Sequence, residues 1–217
     1  MERRRWSYKV AKRVAKERSQ PLRSMWCTRA SRWPQELLCF VDESAANEKT
    51  GYRKRGWSPA GIDCVDLQST RRSERWSILP ALTVNGYLAG TKIVQGAITA
   101  EIFNDWLQNT VLPQLVPGMI LVMDNASIHR SYEVAAMCAE ADITVEYLPP
   151  YSPDFNPIEQ TFNVLKAWIR RHIDEARGYE DFGWFLVHAV KHSISDAQAH
   201  FVKAGYYSHT SSLLVPA

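Results

Sequence analysis

The sequence predicts an α/β fold in which a mixed sheet is flanked by helices. Three observations lead to this prediction. Short apolar runs of strand length, LLCFV and MILVM, each stop at a carboxylate. Two further runs flank Asn85-Gly86, which favours a type I′ hairpin turn because both central residues of that turn need positive φ. After the hairpin, apolar runs alternate with amphipathic segments of helix length, an order typical of strand–helix–strand units.

Each element has a local reason. The first strand ends at Asp42, and the strand within MILVMD ends at Asp124. Thr99 is a good N-cap for the helix between the hairpin and the second of these strands. A helix and a strand follow in SYEVAAMCAEAD and ITVEYLP. A long amphipathic helix then begins at Pro157, after the proline-rich loop PPYSPDFNP.

Composition limits the classes of protein that fit. The 217 residues suit one large domain, or one domain plus an appendage, and 46% hydrophobic residues with eight Trp can fill a sizeable core. No apolar run approaches the roughly 18 residues of a membrane span, and no secretory signal is evident. The four cysteines are scattered, which argues for reduced thiols inside a cell and against a disulfide framework or a zinc site.

Charge is distributed unevenly along the chain. Residues 1–32 hold eleven Lys/Arg and two acids, a net charge of +9, so the rest carries −6 of the overall +3. A basic arm on a mildly acidic body indicates a polyanionic partner, with nucleic acid the first candidate. A solvated helix face is an equally good interpretation of the charge alone.

Three acidic residues could meet at one site. Asp42 and Asp124 follow predicted strands, and ligand sites of open α/β sheets form at the carboxyl ends of central strands. Neighbouring ionised carboxylates repel unless a cation or a shared proton separates them, which points to a metal. Glu159, in the first turn of the long helix, is the third candidate. Alternatively, Asn156 and Glu159 form a capping box, Asp42 bonds to nearby backbone N–H groups at its strand end, and Asp124 starts a turn or caps the following helix.

The segments FVDES, RGWSPAG, VMDNASIH and LPPYSPDFNPIEQTFNVLK resemble the catalytic domain of the mariner-like transposases. That Asp-Asp-Glu endonuclease group includes related bacterial insertion-sequence transposases. In the resemblance, Asp42, Asp124 and Glu159 match the three acids of the group. The 34 residues between Asp124 and Glu159 are a spacing typical of it.

The resemblance implies a ribonuclease H-like fold, with a five-stranded mixed sheet and helices on both faces. It implies two Mg²⁺ ions, with Mn²⁺ as a substitute, held by Asp42, Asp124 and Glu159, and carboxylate oxygens suit such hard ions. The implied reaction is metal-dependent cleavage of double-stranded DNA at transposon ends by water, followed by strand transfer of the 3′-hydroxyl into target DNA. A homodimer acting on paired ends and residence in the nucleus, if the host is eukaryotic, also follow from it.

Other residues receive supporting roles by the same resemblance. Side chains beside the acids are expected to orient the ligands or DNA: Asn125, His129 and Asn156. His129 could instead be a helix-start residue bonded to its loop. Basic side chains are expected to contact phosphates: Arg53, Lys54, Arg55, Lys166 and Arg170. For Lys166 and Arg170 a solvated helix face is at least as good an interpretation. Glu43 and Asp154 are spare acids off the motif positions.

Complete transposases of this group carry helix-turn-helix modules before the catalytic domain. Here residues 1–35 are interpreted as a basic helical linker segment and residues 36–217 as the catalytic domain, so the chain is expected to be a fragment, a truncated copy or a domesticated remnant. Two other functions stay open. One is an inactive DNA-binding or interaction remnant, and the other is a ribonuclease H-like nuclease acting on RNA–DNA hybrids.

Overall fold

A computed structural model describes residues 15–52, 56–65, 73–193 and 196–208. Within these ranges, eight strands form a five-stranded sheet of order β5-β4-β1-β7-β8 and a three-stranded sheet of order β2-β3-β6. The strands are β1 Leu38–Val41, β2 Ser44–Ala46, β3 Trp76–Leu79, β4 Ala81–Thr83, β5 Gly86–Tyr87, β6 Lys92–Gln95, β7 Ile120–Met123 and β8 Thr144–Tyr147. The α-helices are α1 Gln20–Ala30, α2 Ala100–Trp106, α3 Tyr132–Glu140, α4 Pro157–His172, α5 Phe182–Ser193 and α6 Ala197–Ala204.

The larger sheet is mixed, as predicted. Strands β1, β7 and β8 are parallel, whereas β4 and β5 run antiparallel beside β1. The register of the central pair aligns Val41 with Met123. Asp42 and Asp124, the next residues along each strand, therefore leave the same edge of the sheet side by side.

Two breaks separate the larger sheet from the smaller one. The chain leaves the larger sheet at Asp42 and Glu43 before β2 begins, and Pro80 separates β3 from β4. A proline has no backbone N–H to donate, so it interrupts a strand ladder. Asp42 thus lies at the branch between the two sheets rather than inside either ladder.

The predicted type I′ turn is wrong, although the hairpin forms. Thr83 pairs with Gly86, so Val84 and Asn85 are the loop residues and the turn begins one residue earlier than expected. Gly86 has a φ of 114°, and Asn85 is not among the described non-glycine residues with positive φ. The glycine alone supplies the left-handed conformation, since it lacks a Cβ.

Helices cover both faces of the larger sheet because alternate residues of its strands point in opposite directions. Cys39 and Val41 pack with α2 and α3, through buried side chains that include Phe103 and Val134. Phe40 packs on the other face with α1, α4 and α6, and side chains that include Trp26, Phe162 and Phe201 line that second cluster. The long helix α4 also packs with α5 over the smaller sheet. This confirms the predicted layered architecture.

Helix α1 shows what the described part of the basic arm does. Ser19 caps the helix by accepting from the Leu22 N–H, and Trp26 is 2% exposed against the sheet. The Trp26 indole donates to the Tyr206 hydroxyl at 3.2 Å. The arm therefore packs on the body, while the division at residue 35 stays a prediction. No helix of the described residues is both long enough and apolar enough to cross a bilayer.

Candidate metal and catalytic site

One cavity of about 490 Å³ brings the three predicted acids together. Asp42 and Asp124 reach it from the carboxyl ends of β1 and β7, and Glu159 reaches it from the first turn of α4. The rest of the lining comes from Asn125, Ala126, Asn156 and the loop 148–153. The stiff proline-rich loop thus closes one side of the cavity and sets where α4 begins.

Asp42 is the most strongly perturbed of the three carboxyls. Its Oδ1 accepts from the Glu43 backbone N–H at 2.7 Å, and its Oδ2 accepts from Asn156 Nδ2 at 2.8 Å. Desolvation by burial raises the pKa of Asp42 from 3.8 to about 7, with further increases from the charges of Glu159 and Asp124. The acids are therefore close enough to oppose one another's ionisation.

Asp124 is held in its ionised form by its neighbours. Its Oδ1 accepts from the Ala126 backbone N–H at 2.9 Å and lies 2.7 Å from His129 Nδ1. The hydrogen bond from His129 lowers the pKa of Asp124, against the opposing effect of burial. The Asp124 side chain is 48% exposed, whereas the His129 side chain is 2% exposed. A buried imidazole therefore supports an accessible carboxylate.

His129 is itself fixed from several sides. Its ring lies 4.6 Å from the ring of Phe103, and its carbonyl accepts from the Tyr147 hydroxyl at 2.8 Å. It ends a 3₁₀ turn, Ser127–His129, and its side chain turns to Asp124. The contact places His129 beside the second acid, where its orienting role was predicted.

The capping-box interpretation of Asn156 and Glu159 is wrong. Asn156 has the backbone of an N-cap, but its side chain makes no capping hydrogen bond and instead donates to Asp42. Asn156 is 2% exposed, so this contact is made in the interior. A residue well suited to cap α4 is used to hold a carboxylate of the site.

Glu159 is half-buried and faces the same cavity. Burial raises its pKa, Lys166 lowers it, and Asp124 raises it further. The effect of Lys166 places that side chain on the Glu159 side of α4, two turns along the helix. Arg170 is exposed one further turn away, and phosphate contact by either residue stays a prediction. Arg53, Lys54 and Arg55 lie outside the described residues.

The donor set suits a hard divalent cation. Three carboxylates line the cavity, and such ions prefer oxygen ligands. Burial raises the pKa of Asp42 most, and the charges of Glu159 and Asp124 raise it further; a bound cation would offset that repulsion. In the described part of the chain, however, no three His, Cys, Asp or Glu side chains are already arranged to hold one metal ion. Mutual repulsion is the physical reason for carboxylates to stay apart without a cation.

The spare acids and Asn125 have structural partners. Glu43 accepts from Ser77 Oγ at 2.8 Å and from Arg75 at 3.2 Å. Asp154 lies 2.7 Å from both Arg18 and Arg23. Asn125 Nδ2 donates to the Leu148 carbonyl at 2.6 Å, so this side chain ties the second acid's strand to the proline-rich loop. The two arginine contacts to Asp154 were not anticipated, because sequence distance gave no sign of them.

Comparison with known proteins now identifies the family. The family model described as DDE superfamily endonuclease matches residues 37–178. The chain therefore belongs to the DDE superfamily endonucleases. The match contains the three acids, and it leaves helices α1, α5 and α6 outside. A search of curated proteins finds no match.

Solved structures agree on the fold. A pre-cleavage Mos1 transpososome has a TM-score of 0.59 at 14% identity, covering 93% of this chain and 68% of that chain. The Mos1 strand transfer complex has a TM-score of 0.60 at 15% identity, covering 93% and 67%. The mariner Mos1 paired-end complex with Mg has a TM-score of 0.59 at 16% identity, covering 94% and 69%. These likenesses confirm the predicted ribonuclease H-like transposase fold.

Proposed function

We propose that this chain is the catalytic domain of a transposase, a metal-dependent DNA endonuclease and strand transferase of DNA transposition and integration. One observation carries the proposal: Asp42, Asp124 and Glu159, far apart in sequence, line one cavity and perturb one another's ionisation. Family membership supports the same chemistry. Mos1 complexes with Mg and with Mn support the choice of Mg²⁺, with Mn²⁺ as a substitute.

Each residue of the site has a proposed role in metal binding. Asp42, Asp124 and Glu159 are the proposed metal ligands. Bound divalent ions would supply charge neutralisation and activate the attacking oxygen of an in-line displacement at phosphorus. Asn156 and the Glu43 N–H hold Asp42 by hydrogen bonds, and such partners orient ligands and tune their affinity.

Two further features prepare the site for DNA. His129 keeps Asp124 ionised, so that carboxylate does not need to lose a proton before it binds a cation. Lys166 lies on the Glu159 side of α4 and is a candidate phosphate contact, as is Arg170. The proposed partner is double-stranded DNA, both at transposon ends and at the target. We propose that a homodimer pairs two ends. The protein would act at the chromosome, which lies in the nucleus if the host is eukaryotic.

A nicking assay tests the proposal. The chain is incubated with supercoiled plasmid and Mg²⁺, Mn²⁺ or EDTA, and the wild type is compared with Asp42→Asn, Asp124→Asn and Glu159→Gln. We expect metal-dependent nicking by the wild type alone, with circular dichroism showing that each variant is folded. Full nicking by any one variant would remove that residue from the ligand set.

Measurements of DNA binding, of stabilisation by Mn²⁺ and of cutting of an RNA–DNA hybrid separate the other two functions. A folded wild type that binds DNA but never cuts it, and that Mn²⁺ does not stabilise, is an inactive remnant. Preferential cutting of an RNA–DNA hybrid over duplex DNA indicates a ribonuclease H-like nuclease instead. These outcomes do not depend on which transposon ends the protein prefers, because a plasmid without such ends reports the cleavage chemistry alone.

A further inference from the structure

The N-terminal arm is attached to the loop that carries part of the candidate site. Arg23 Nη1 and Nη2 donate to the two carboxylate oxygens of Asp154 at 3.1 and 2.7 Å, and Arg18 Nη2 donates to the same oxygens at 2.7 Å each. Asp154 lies in the 3₁₀ turn Pro153–Phe155, immediately before Asn156. Two arginines of one segment thus donate to one carboxylate that lies about 130 residues later in the sequence.

Arg23 is built into this junction more deeply than a surface ion pair requires. The residue is 9% exposed, and its guanidinium carbon lies 3.9 Å above the Phe155 ring. A planar guanidinium that pairs with a carboxylate through two N–H groups and stacks on an aromatic ring fixes both the position and the orientation of the segment that carries them. Lysine could supply the charge at this position but neither the paired N–H groups nor the stack.

A second connection from the arm reaches the same turn. Trp26 donates to the Tyr206 hydroxyl at 3.2 Å, and that hydroxyl donates to the Phe155 carbonyl at 2.8 Å. The turn before Asn156 is therefore held by α1 in two ways, by charge at Asp154 and by a hydrogen-bonded chain at Phe155. The next side chain, Asn156, donates to Asp42, and Glu159 follows within one helical turn.

Three arginines in the described part of the arm are thus engaged with the body of the same chain. Arg18 and Arg23 pair with Asp154, and Arg29 pairs with Glu146 of β8 at 2.9 Å. Arg18 and Arg23 have side chains only 14% and 11% exposed. Phosphate binding by these three arginines would break these contacts.

We infer that Arg23, supported by Arg18, is a positioning residue that sets the Asn156 and Glu159 side of the metal site through Asp154 and Phe155. The N-terminal arm is then part of the working catalytic domain, although it precedes the segment that the family model matches. This inference rests on the proposed function, because the quantity that Arg23 controls is the affinity of the three acids for a divalent cation.

Manganese binding to the full chain tests the inference. Free Mn²⁺ is measured by electron paramagnetic resonance for wild type, Arg23→Gln, Arg23→Lys and Asp154→Asn. We expect Arg23→Gln and Asp154→Asn to weaken Mn²⁺ binding about ten-fold, the low end for loss of a residue that orients metal ligands. Arg23→Lys should recover only part of the affinity. Asp154 is 43% exposed at the side chain, so its nearly isosteric variant keeps the test usable if Arg23→Gln does not fold.

Arg29→Gln is the matched control. It removes an ion pair between the same helix and the body, but its partner Glu146 lies on β8, seven residues before the turn Pro153–Phe155. We expect this variant to bind Mn²⁺ like the wild type, while its thermal unfolding reports any general loosening of the arm. A purely structural role for Arg23 predicts lower melting temperatures with unchanged Mn²⁺ affinity.

The outcomes distinguish failure of the positioning role of Arg23 from failure of the proposed function. If the wild type binds Mn²⁺ and the Arg23 and Asp154 variants bind it equally well, the positioning role is overturned and the proposed function stands. If Arg29→Gln weakens binding as much as Arg23→Gln, the effect belongs to the whole arm and the specific role is overturned. If the folded wild type binds no Mn²⁺, both the proposed function and this inference are wrong.

Discussion

Replacing Asp42 by Asn should stabilise the metal-free protein at pH 8. Burial, Glu159 and Asp124 raise the pKa of Asp42 from 3.8 to about 7. Between these two pH values the folded protein keeps a proton that the unfolded chain has released. Stability therefore falls as the pH rises towards 7 and stays lowered above it. Asparagine cannot ionise, so the variant escapes this loss.

The pKa fixes the size of the effect. At about 1.36 kcal/mol per pH unit, the full difference sets an upper limit of roughly 4 kcal/mol on the stabilisation at pH 8. Between pH 5 and pH 7 the same residue accounts for roughly 2 kcal/mol of pH dependence in the wild type. The Asp42→Asn variant should lack this contribution. Its remaining pH dependence should include contributions from Glu159, whose pKa is raised, and His200, whose pKa is lowered by burial.

Urea unfolding in EDTA at pH 5, 7 and 8 measures both quantities. Asp105→Asn is a suitable control, since the Asp105 side chain is 60% exposed. Asp105 lies 3.8 Å from Lys92 and accepts a hydrogen bond from Asn109 at 2.9 Å, which an asparagine oxygen can also accept. With Mn²⁺ present, the wild type should become more stable than Asp42→Asn, because metal binding stabilises only the protein that retains the Asp42 carboxylate. Identical pH dependence for wild type and Asp42→Asn would refute the account of a strained, cation-ready carboxylate.

Four other substitutions each test a single part of the site. Asp124→Asn or Glu159→Gln should abolish metal-dependent plasmid nicking in a protein with native circular dichroism, and retained nicking would contradict that residue's role. Asn156→Ser should weaken Mn²⁺ binding about ten-fold while leaving the melting temperature close to wild type, because serine is a good N-cap for α4; equal affinity would show that the Asn156–Asp42 bond is incidental. His129→Gln should move the pH at which protons displace Mn²⁺ upwards, because the hydrogen bond from His129 lowers the pKa of Asp124, and an unchanged pH profile would argue against that coupling.

Most elements of the fold could be predicted because their signals are local. The apolar strands before Asp42 and Asp124, the Thr99 cap and the helix from Pro157 all occur where the pattern placed them. The hairpin itself was predicted, but its turn type and its register were not. Thr83 pairs with Gly86 and shifts the turn by one residue, a choice made by the whole sheet rather than by the Asn-Gly pair.

Predictions about the site depended on a different kind of information. Strand ends placed Asp42 and Asp124 together because parallel neighbours share an edge. Local propensity misassigned Asn156, since its tertiary contact with Asp42 displaces the capping bond that the sequence favours. The grip of Arg18 and Arg23 on Asp154 could not be foreseen, because pairing between distant charges is set by the packing of α1 and by no local pattern.

The ligand role of the three acids can be tested most directly by crystallising the chain with Mn²⁺ and recording anomalous scattering. The account predicts two peaks roughly 3.5–4 Å apart, bounded by Asp42, Asp124 and Glu159 at the carboxyl ends of β1 and β7. Manganese bound elsewhere, or a Glu159 carboxylate that remains out of reach of ions held by the two aspartates, would contradict it.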